Sequence, residues 1–330
     1  MTMLYRKLGR TALHVSPLCL GTLNLGVRTT RDEAFALMDE ALDRGINFFD
    51  TANQYGWQVR KGLTEEIIGE WFAQGGGRRE RVVLGTKVCN PMSDLPNDRG
   101  LSARHIVASC EDSLRRLRTD WIDVYQMHNV DPSASWEEVW QAMETLVCQG
   151  KIRYVGSSNF AGWHLADAQA AAARRNFLGI VSEQCVYNLA TRFVETEVVP
   201  AAQAHGIGVL AWSPLHGGLL GGALRKLDDG TAVKTAQGRA ALALETRRDT
   251  IALYEKLCVE IALDPAQVAL AWLLSRPGLT AAVIGPRTAA HLADALQTLD
   301  LRLPDDVLDR LDELFPPIGN GRPAPEAWLD

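Results

Sequence analysis

The chain has no excess of basic residues. Lys and Arg number 34 against 40 Asp and Glu, a formal net charge of −6, so the broad positive footprint that holds nucleic acid is missing. It also has no long apolar runs: nowhere do about 18 apolar residues follow one another, the length a membrane-crossing helix needs. The opening MTMLYRKLGR carries no extended apolar stretch behind its basic residues, so no secretory signal is read there and a cytoplasmic setting is expected. Cysteine is sparse. Cys19, Cys89, Cys110, Cys148, Cys185 and Cys258 are scattered singly, with no CxxC or other metal-ligand spacing. That pattern predicts reduced, mostly buried thiols and no metal site.

What remains is ordinary globular composition, 47% hydrophobic and 22% charged over 330 residues. At roughly 150 residues per domain this length suggests two domains. An eight-fold α/β barrel of ~250 residues with insertions fits equally well. The patterning decides between them. Thr30 followed by Glu33 forms a capping-box signature. Ala34, Leu37, Met38, Ala41 and Leu42 then recur on one helical face, Gly45 stands where a helix end needs a left-handed residue, and Ile46 to Asp50 reads as a short buried strand. The cycle repeats: helix 65–72 and strand 82–88; a helix capped by Ser102 and strand 122–128; helix 136–148 and strand 152–158; helix 162–174 and strand 180–186; helix 195–205 and strand 208–213; a mostly helical stretch 245–275 and strand 281–285. With Leu18-Cys19-Leu20 as the first strand, eight strands alternate with helices. The prediction is one (β/α)8 TIM barrel spanning 1–330, with an N-terminal hairpin cap before Leu18 and extended loops at the C-terminal face. A doubly wound open sheet is the alternative. It calls for G-x-G-x-x-G after the first strand, and Gly21-Thr22-Leu23-Asn24-Leu25-Gly26 is not that pattern. Segments 56–63, 89–101, 215–245 and the tail after Phe315 read as irregular. The first three follow strands, so they should overhang the face where barrel enzymes place their chemistry.

Asp50, Lys87 and His128 end three consecutive predicted strands, and Tyr55 follows Asp50 by five residues. Singly, a strand-end lysine is usually a snorkelling surface group and a lone histidine a structural one. In a barrel, however, neighbouring strand ends converge. A phenol with a pKa near 10 is a poor acid, a lysine ammonium beside it lowers that pKa, and an aspartate holds the ammonium in place. A histidine can hydrogen-bond a carbonyl oxygen that is gaining charge. Together the four would protonate an alkoxide formed by hydride transfer.

These motifs resemble the aldo-keto reductase family. Gly45-Ile46-Asn47-Phe48-Phe49-Asp50-Thr51-Ala52 with Tyr55-Gly56, then Tyr125-Gln126-Met127-His128, Val155-Gly156-Ser157-Ser158-Asn159-Phe160 and Trp212-Ser213-Pro214-Leu215 are similar to four of its signatures, in order. The resemblance runs from about residue 4 to 315. It implies a barrel that binds NADPH without a Rossmann domain, and a tetrad of Asp50, Tyr55, Lys87 and His128 with Tyr55 as general acid. It implies further that Ser158, Asn159 and Gln184 bond the nicotinamide carboxamide and that Trp212 stacks on its ring. Ser213, Leu215 and Gly217, with Gly21 and Thr22, would line the rest of the cofactor, and Gly285, Arg287, His291 and Asp294 its 2′-phosphate and adenosine. Arg287 suits a phosphate because guanidinium pairs with it in bidentate fashion.

Other stretches resemble a narrower group, the NDP-4-keto-6-deoxy-hexose 2,3-reductases of macrolide deoxysugar pathways. They are Tyr55-Gly56-Trp57, Lys61-Gly62, Gly75-Gly76-Gly77-Arg78-Arg79-Glu80, Leu101 to Ile106, His216 to Leu220 and Ala324-Pro325-Glu326-Ala327-Trp328. The segment after Tyr55 runs about four residues longer than the family commonly has. Trp57, Arg60, Lys61 and Asn129 are therefore expected at the substrate, Trp57 against a sugar or base and the two cations against a diphosphate. The family's double-bond reductases carry Glu in place of the tetrad histidine; His128 is kept here, which implies ketone reduction. A general aldehyde or ketone reductase and a cofactor-sensing subunit of a channel are the alternative functions.

Overall fold

The computed structural model describes residues 3–230 and 239–321. A two-stranded antiparallel hairpin, β1 (Arg6–Lys7) and β2 (His14–Val15), comes first. Eight parallel strands follow: β3 (Leu18–Gly21), β4 (Phe48–Asp50), β5 (Val83–Val88), β6 (Ile122–Met127), β7 (Ile152–Ser158), β8 (Ile180–Val186), β9 (Gly208–Trp212) and β10 (Leu279–Ile284). Each pairs with its neighbour in sequence, and β10 returns to pair with β3, closing the barrel. The predicted (β/α)8 architecture and its hairpin cap are present.

The local rules behind this are visible in the first helix, Arg31–Asp43. The Glu33 carboxylate accepts from the Thr30 amide at 2.7 Å and the Thr30 hydroxyl accepts from the Glu33 amide at 3.4 Å, which completes the capping box. The five residues of its apolar stripe are the five it buries. Gly45 then turns the chain at φ +89° into β4. The helices pack outside the strands over one continuous apolar core. The barrel floor is a second, smaller core in which Leu8, from the hairpin, meets Val15, Cys19, Phe48, Val83, Val124, Val181, Leu210 and Ala281. The hairpin is thus a stopper in the N-terminal end of the barrel. All six cysteines are free thiols, and all but Cys148 are buried.

The structure differs from the sequence reading in the connections. Segments 56–63 and 215–245 are not wholly irregular. Helix Leu63–Phe72 begins inside the first. The second contains a turn of 3-10 helix at His216–Gly218, helix Ala223–Asp228 and the start of a long helix, Arg239–Glu260. Gly75-Gly76-Gly77 leads into a one-turn helix, Arg78–Arg81, and the tail holds a 3-10 turn at Ile318–Gly321. The stretch Ala324 to Trp328 lies outside the described residues. No single helix among the described residues is long and apolar enough to cross a membrane.

Candidate active site

The strand ends bring Asp50, Lys87 and His128 together as expected, and the loop after β4 folds Tyr55 over them. Lys87 Nζ donates to Asp50 Oδ2 at 2.5 Å, to the Thr51 carbonyl at 2.8 Å and to Tyr55 Oη at 3.3 Å. Lys87 is fully buried and Asp50 almost so, an arrangement made tolerable by the counter-charge, with further hydrogen bonds to the remaining ammonium protons. The His128 ring lies 6.0 Å from the Tyr55 ring, edge to face. The four groups therefore share one pocket.

Three protonation states follow. Burial, then the Lys87 ammonium, push the His128 imidazole down to about 3, so the ring is neutral at neutral pH. Burial raises the Tyr55 phenol; Lys87 pulls the other way and does not win. This corrects the expectation that the lysine sets the direction. Lys87 itself resists burial through Asp50 and Tyr55, and its pKa is raised. At neutral pH the site holds a protonated phenol, an ammonium and a neutral imidazole.

One member of the site was missed in the sequence. Gln126, fully buried, donates to Asp50 Oδ1 at 2.9 Å, and Gln184 donates to the same oxygen at 2.8 Å. A Cβ on Gly85 would lie 2.9 Å from Gln126 Nε2, and one on Gly156 2.9 Å from its Cγ. Two glycines thus leave room for one amide in the barrel's interior. The signal was there: residues 124, 126 and 128 alternate onto one face of β6, so Gln126 shares the interior with His128.

Gln184 was expected at a carboxamide. Because a carboxylate only accepts, the Gln184 atom facing Asp50 is its NH2 group, which also donates to Gln126 Oε1 at 3.2 Å. Ser158 Oγ donates to the Gln184 carbonyl at 2.7 Å. Asn159, at φ +62°, donates to the His128 carbonyl at 3.0 Å and accepts from Trp212 Nε1 at 3.1 Å. Ser213 is also left-handed, at φ +57°, and its hydroxyl accepts from the Gly217 amide at 3.2 Å, which shapes the loop carrying Leu215. Thr22 is tied by amide and hydroxyl to the Asp50 carbonyl, and a Cβ on Gly21 would stand 2.9 Å from the Ile284 carbonyl. Thr288 caps helix Ala289–Gln297 by accepting from the His291 amide. Arg287, just before it, makes no hydrogen bond or ion pair with the described residues; Asp294, on the helix, is exposed.

The expected substrate residues divide. Trp57 is exposed, its ring 6.2 Å from that of Tyr55. Asn129 donates to Asn90 Oδ1 at 2.8 Å beside His128. Arg60 does not stand free for a diphosphate. It pairs with Glu66 on helix Leu63–Phe72, because the turn at Gly62 folds residue 60 back over the first turn of that helix. Lys61 is exposed beside it.

Glu183, on β8, is a further buried acid. Its carboxyl accepts from Ser157 Oγ and from the Phe160 amide, and burial pushes it up to about 7. The native protein therefore holds this proton up to about pH 7, while the unfolded chain releases it above its ordinary 4.5. Between those values the native state binds more protons, so this group's contribution to stability falls as pH rises. His128 acts oppositely, losing stability as pH falls from 6.5 toward 3. Comparing wild type with Glu183→Gln in urea melts isolates the first effect. The difference in stability should shift in favour of the variant from pH 4.5 to 7, and a difference constant with pH would show that Glu183 is ionised throughout.

The sequence comparisons agree with the geometry. The aldo/keto reductase family pattern matches residues 17–315.

The chain belongs to the aldo/keto reductase family.

Aldo/keto reductases are NAD(P)H-dependent oxidoreductases. Among this reductase's relatives is the uncharacterized oxidoreductase YrpG of Bacillus subtilis (strain 168), 53% identical over 98% of this chain and 99% of the relative. A rice protein (Oryza sativa subsp. japonica) named "Probable voltage-gated potassium channel subunit beta" is 33% identical over 94% of this chain and 96% of its own length. Protein tas of Escherichia coli (strain K12) is 30% identical over 94% of this chain and 97% of its own length.

Proposed function

We propose that this reductase uses NADPH to reduce the ketone of a nucleotide-linked keto-deoxysugar. The observation that carries the reductase reading is the buried Lys87–Asp50 pair with its third ammonium contact on Tyr55 Oη. Bound NADPH would supply the hydride. Tyr55 delivers the proton to the carbonyl oxygen, as suits a phenol that burial keeps protonated. The Lys87 ammonium stabilises the phenolate left behind, and Asp50, held by Gln126 and Gln184, fixes Lys87 in place. His128, neutral, donates a hydrogen bond to the same oxygen and is not a competing acid.

The residues present fit the dinucleotide. Gln184 offers an acceptor to a carboxamide NH2 group, Ser158 and Asn159 flank it, and Trp212 offers a ring face. Gly21, Thr22, Ser213, Leu215 and Gly217 line the middle. The unengaged Arg287 guanidinium, beside Gly285 and the helix bearing His291 and Asp294, suits a 2′-phosphate. Arg287→Ala should weaken NADPH about 10- to 100-fold and NADH little, since about 1.5–3 kcal/mol rides on a charge-assisted hydrogen bond. Fluorescence titration with both dinucleotides checks it, and equal weakening removes Arg287 from that site.

Ketone chemistry is supported by His128, and the sugar class by Trp57 standing over the mouth and by the stretches similar to deoxysugar reductases. The test is NADPH oxidation with dTDP-linked keto sugars, in the presence and absence of free dTDP. Turnover inhibited by dTDP supports the proposal; a product saturated at C2–C3 with no new hydroxyl overturns the ketone reading. The exposed apolar residues Trp57, Val59 and Leu95 on the loops after β4 and β5 favour a second reading, a general aldehyde and ketone reductase, which dTDP would not inhibit. NADPH binding without turnover of any carbonyl would instead mark a cofactor-sensing subunit.

A further inference from the structure

Four side chains lead to His128 in a directed chain of hydrogen bonds. It starts at an atom with one role: the Trp212 indole nitrogen only donates, and it donates to Asn159 Oδ1 at 3.1 Å. The other end of that amide is fixed independently, since Asn159 Nδ2 faces the His128 backbone carbonyl at 3.0 Å, which only accepts. The same Nδ2 reaches Asn129 Oδ1 at 3.3 Å. Asn129 must then present its NH2 group to Asn90, which it does at 2.8 Å from Oδ1. Asn90 in turn presents its NH2 group to His128 Nδ1 at 3.2 Å. Each amide orientation follows from the one before, so Nδ1 is an acceptor and the imidazole proton sits on Nε2.

We infer that Asn90 and Asn129 are positioning residues that set the tautomer of His128, in a chain anchored on Trp212 and Asn159. Neither has to touch the reacting carbonyl. Their effect is to keep a donor on the ring nitrogen that faces the pocket. The groups packed on the ring do not supply this: Lys87 from β5 is a cation, which opposes a second proton, and Tyr55 from the loop after β4 presents its ring. The chain also joins the two halves of the site. Trp212 and Asn159, on the cofactor side, reach the histidine through two amides. This deepens the function proposed above and rests on His128 acting as hydrogen-bond donor there.

Nitrogen-15 spectra of the histidine side chains, with His128 assigned by loss of its signals in His128→Gln, read the tautomer without turnover. The wild-type ring should be neutral and protonated at Nε2 from pH 5 to 9. Asn90→Asp puts an acceptor-only group at Nδ1. Its ring should become imidazolium at low pH and carry its proton on Nδ1 at high pH. Between pH 5 and 9 the kcat profile should then gain an alkaline limb that wild type lacks in that window, falling up to about 100-fold, the scale of one lost donor to a developing oxyanion. Asn129→Leu, which breaks the chain one step earlier, should give a mixture of the two neutral tautomers with NADPH affinity unchanged. A wild-type ring protonated at Nδ1, or an Asn90→Asp protein with the wild-type tautomer and pH profile, overturns the inference. A protein with the Nε2–H ring that reduces no carbonyl overturns the proposed function and leaves the inference standing.

Discussion

Tyr55→Phe should lower kcat by about 10²- to 10⁴-fold, the range for a positioned general acid, and leave NADPH affinity and the folding midpoint where they are. The substitution removes one oxygen. Lys87 gives up the longest of its three contacts but keeps Asp50 and the Thr51 carbonyl, so the buried charge stays paired and the pocket keeps its shape. That makes the variant a clean test of proton delivery, because lost turnover cannot be blamed on a damaged site. Steady-state kinetics beside a cofactor titration check it. Turnover within a few-fold of wild type would mean that the proton comes from elsewhere in the pocket.

Asp50→Ala should do the opposite kind of damage. It leaves Lys87, which is fully buried, without its counter-charge and strands the Gln126 and Gln184 amides that donate to Asp50 Oδ1. Removing one partner of a buried pair costs about 3–5 kcal/mol, a large share of the roughly 5–15 kcal/mol by which a native protein is stable. The urea midpoint should fall accordingly, and turnover should be lost with it. The double variant Asp50→Leu with Lys87→Met removes the whole pair and should regain part of the stability while remaining inactive, because a buried pair replaced by apolar groups is often nearly neutral. A single variant within about 1 kcal/mol of wild type would show that water reaches Lys87.

The parts of the fold that could be read from sequence were those with a period. Helix Arg31–Asp43 shows its stripe and its cap, and eight short apolar runs show the strands. Helix Ala223–Asp228 was hidden because Gly217, Gly218, Gly221 and Gly222 crowd its approach and make the whole segment read as loop. It forms because tertiary context overrides that prior: Glu255, from the long helix, accepts from the Leu224 and Arg225 amides. The tetrad was legible because strand ends converge in any parallel barrel. Arg60 was not, since its partner Glu66 lies across a turn that only the structure shows. Tyr55 was half legible: the lysine beside it was evident, but the burial that outweighs the lysine is a property of the closed pocket.

The stopper formed by Leu8 at the barrel floor has a practical consequence. One end of the molecule is sealed by an apolar plug and the other gathers Asp50, Tyr55, Lys87 and His128, so the two ends answer to different demands. An affinity tag fused ahead of the hairpin would leave the molecule on the side of the plug. Loops at the open end can be exchanged to retarget the enzyme without disturbing the plug that keeps it folded.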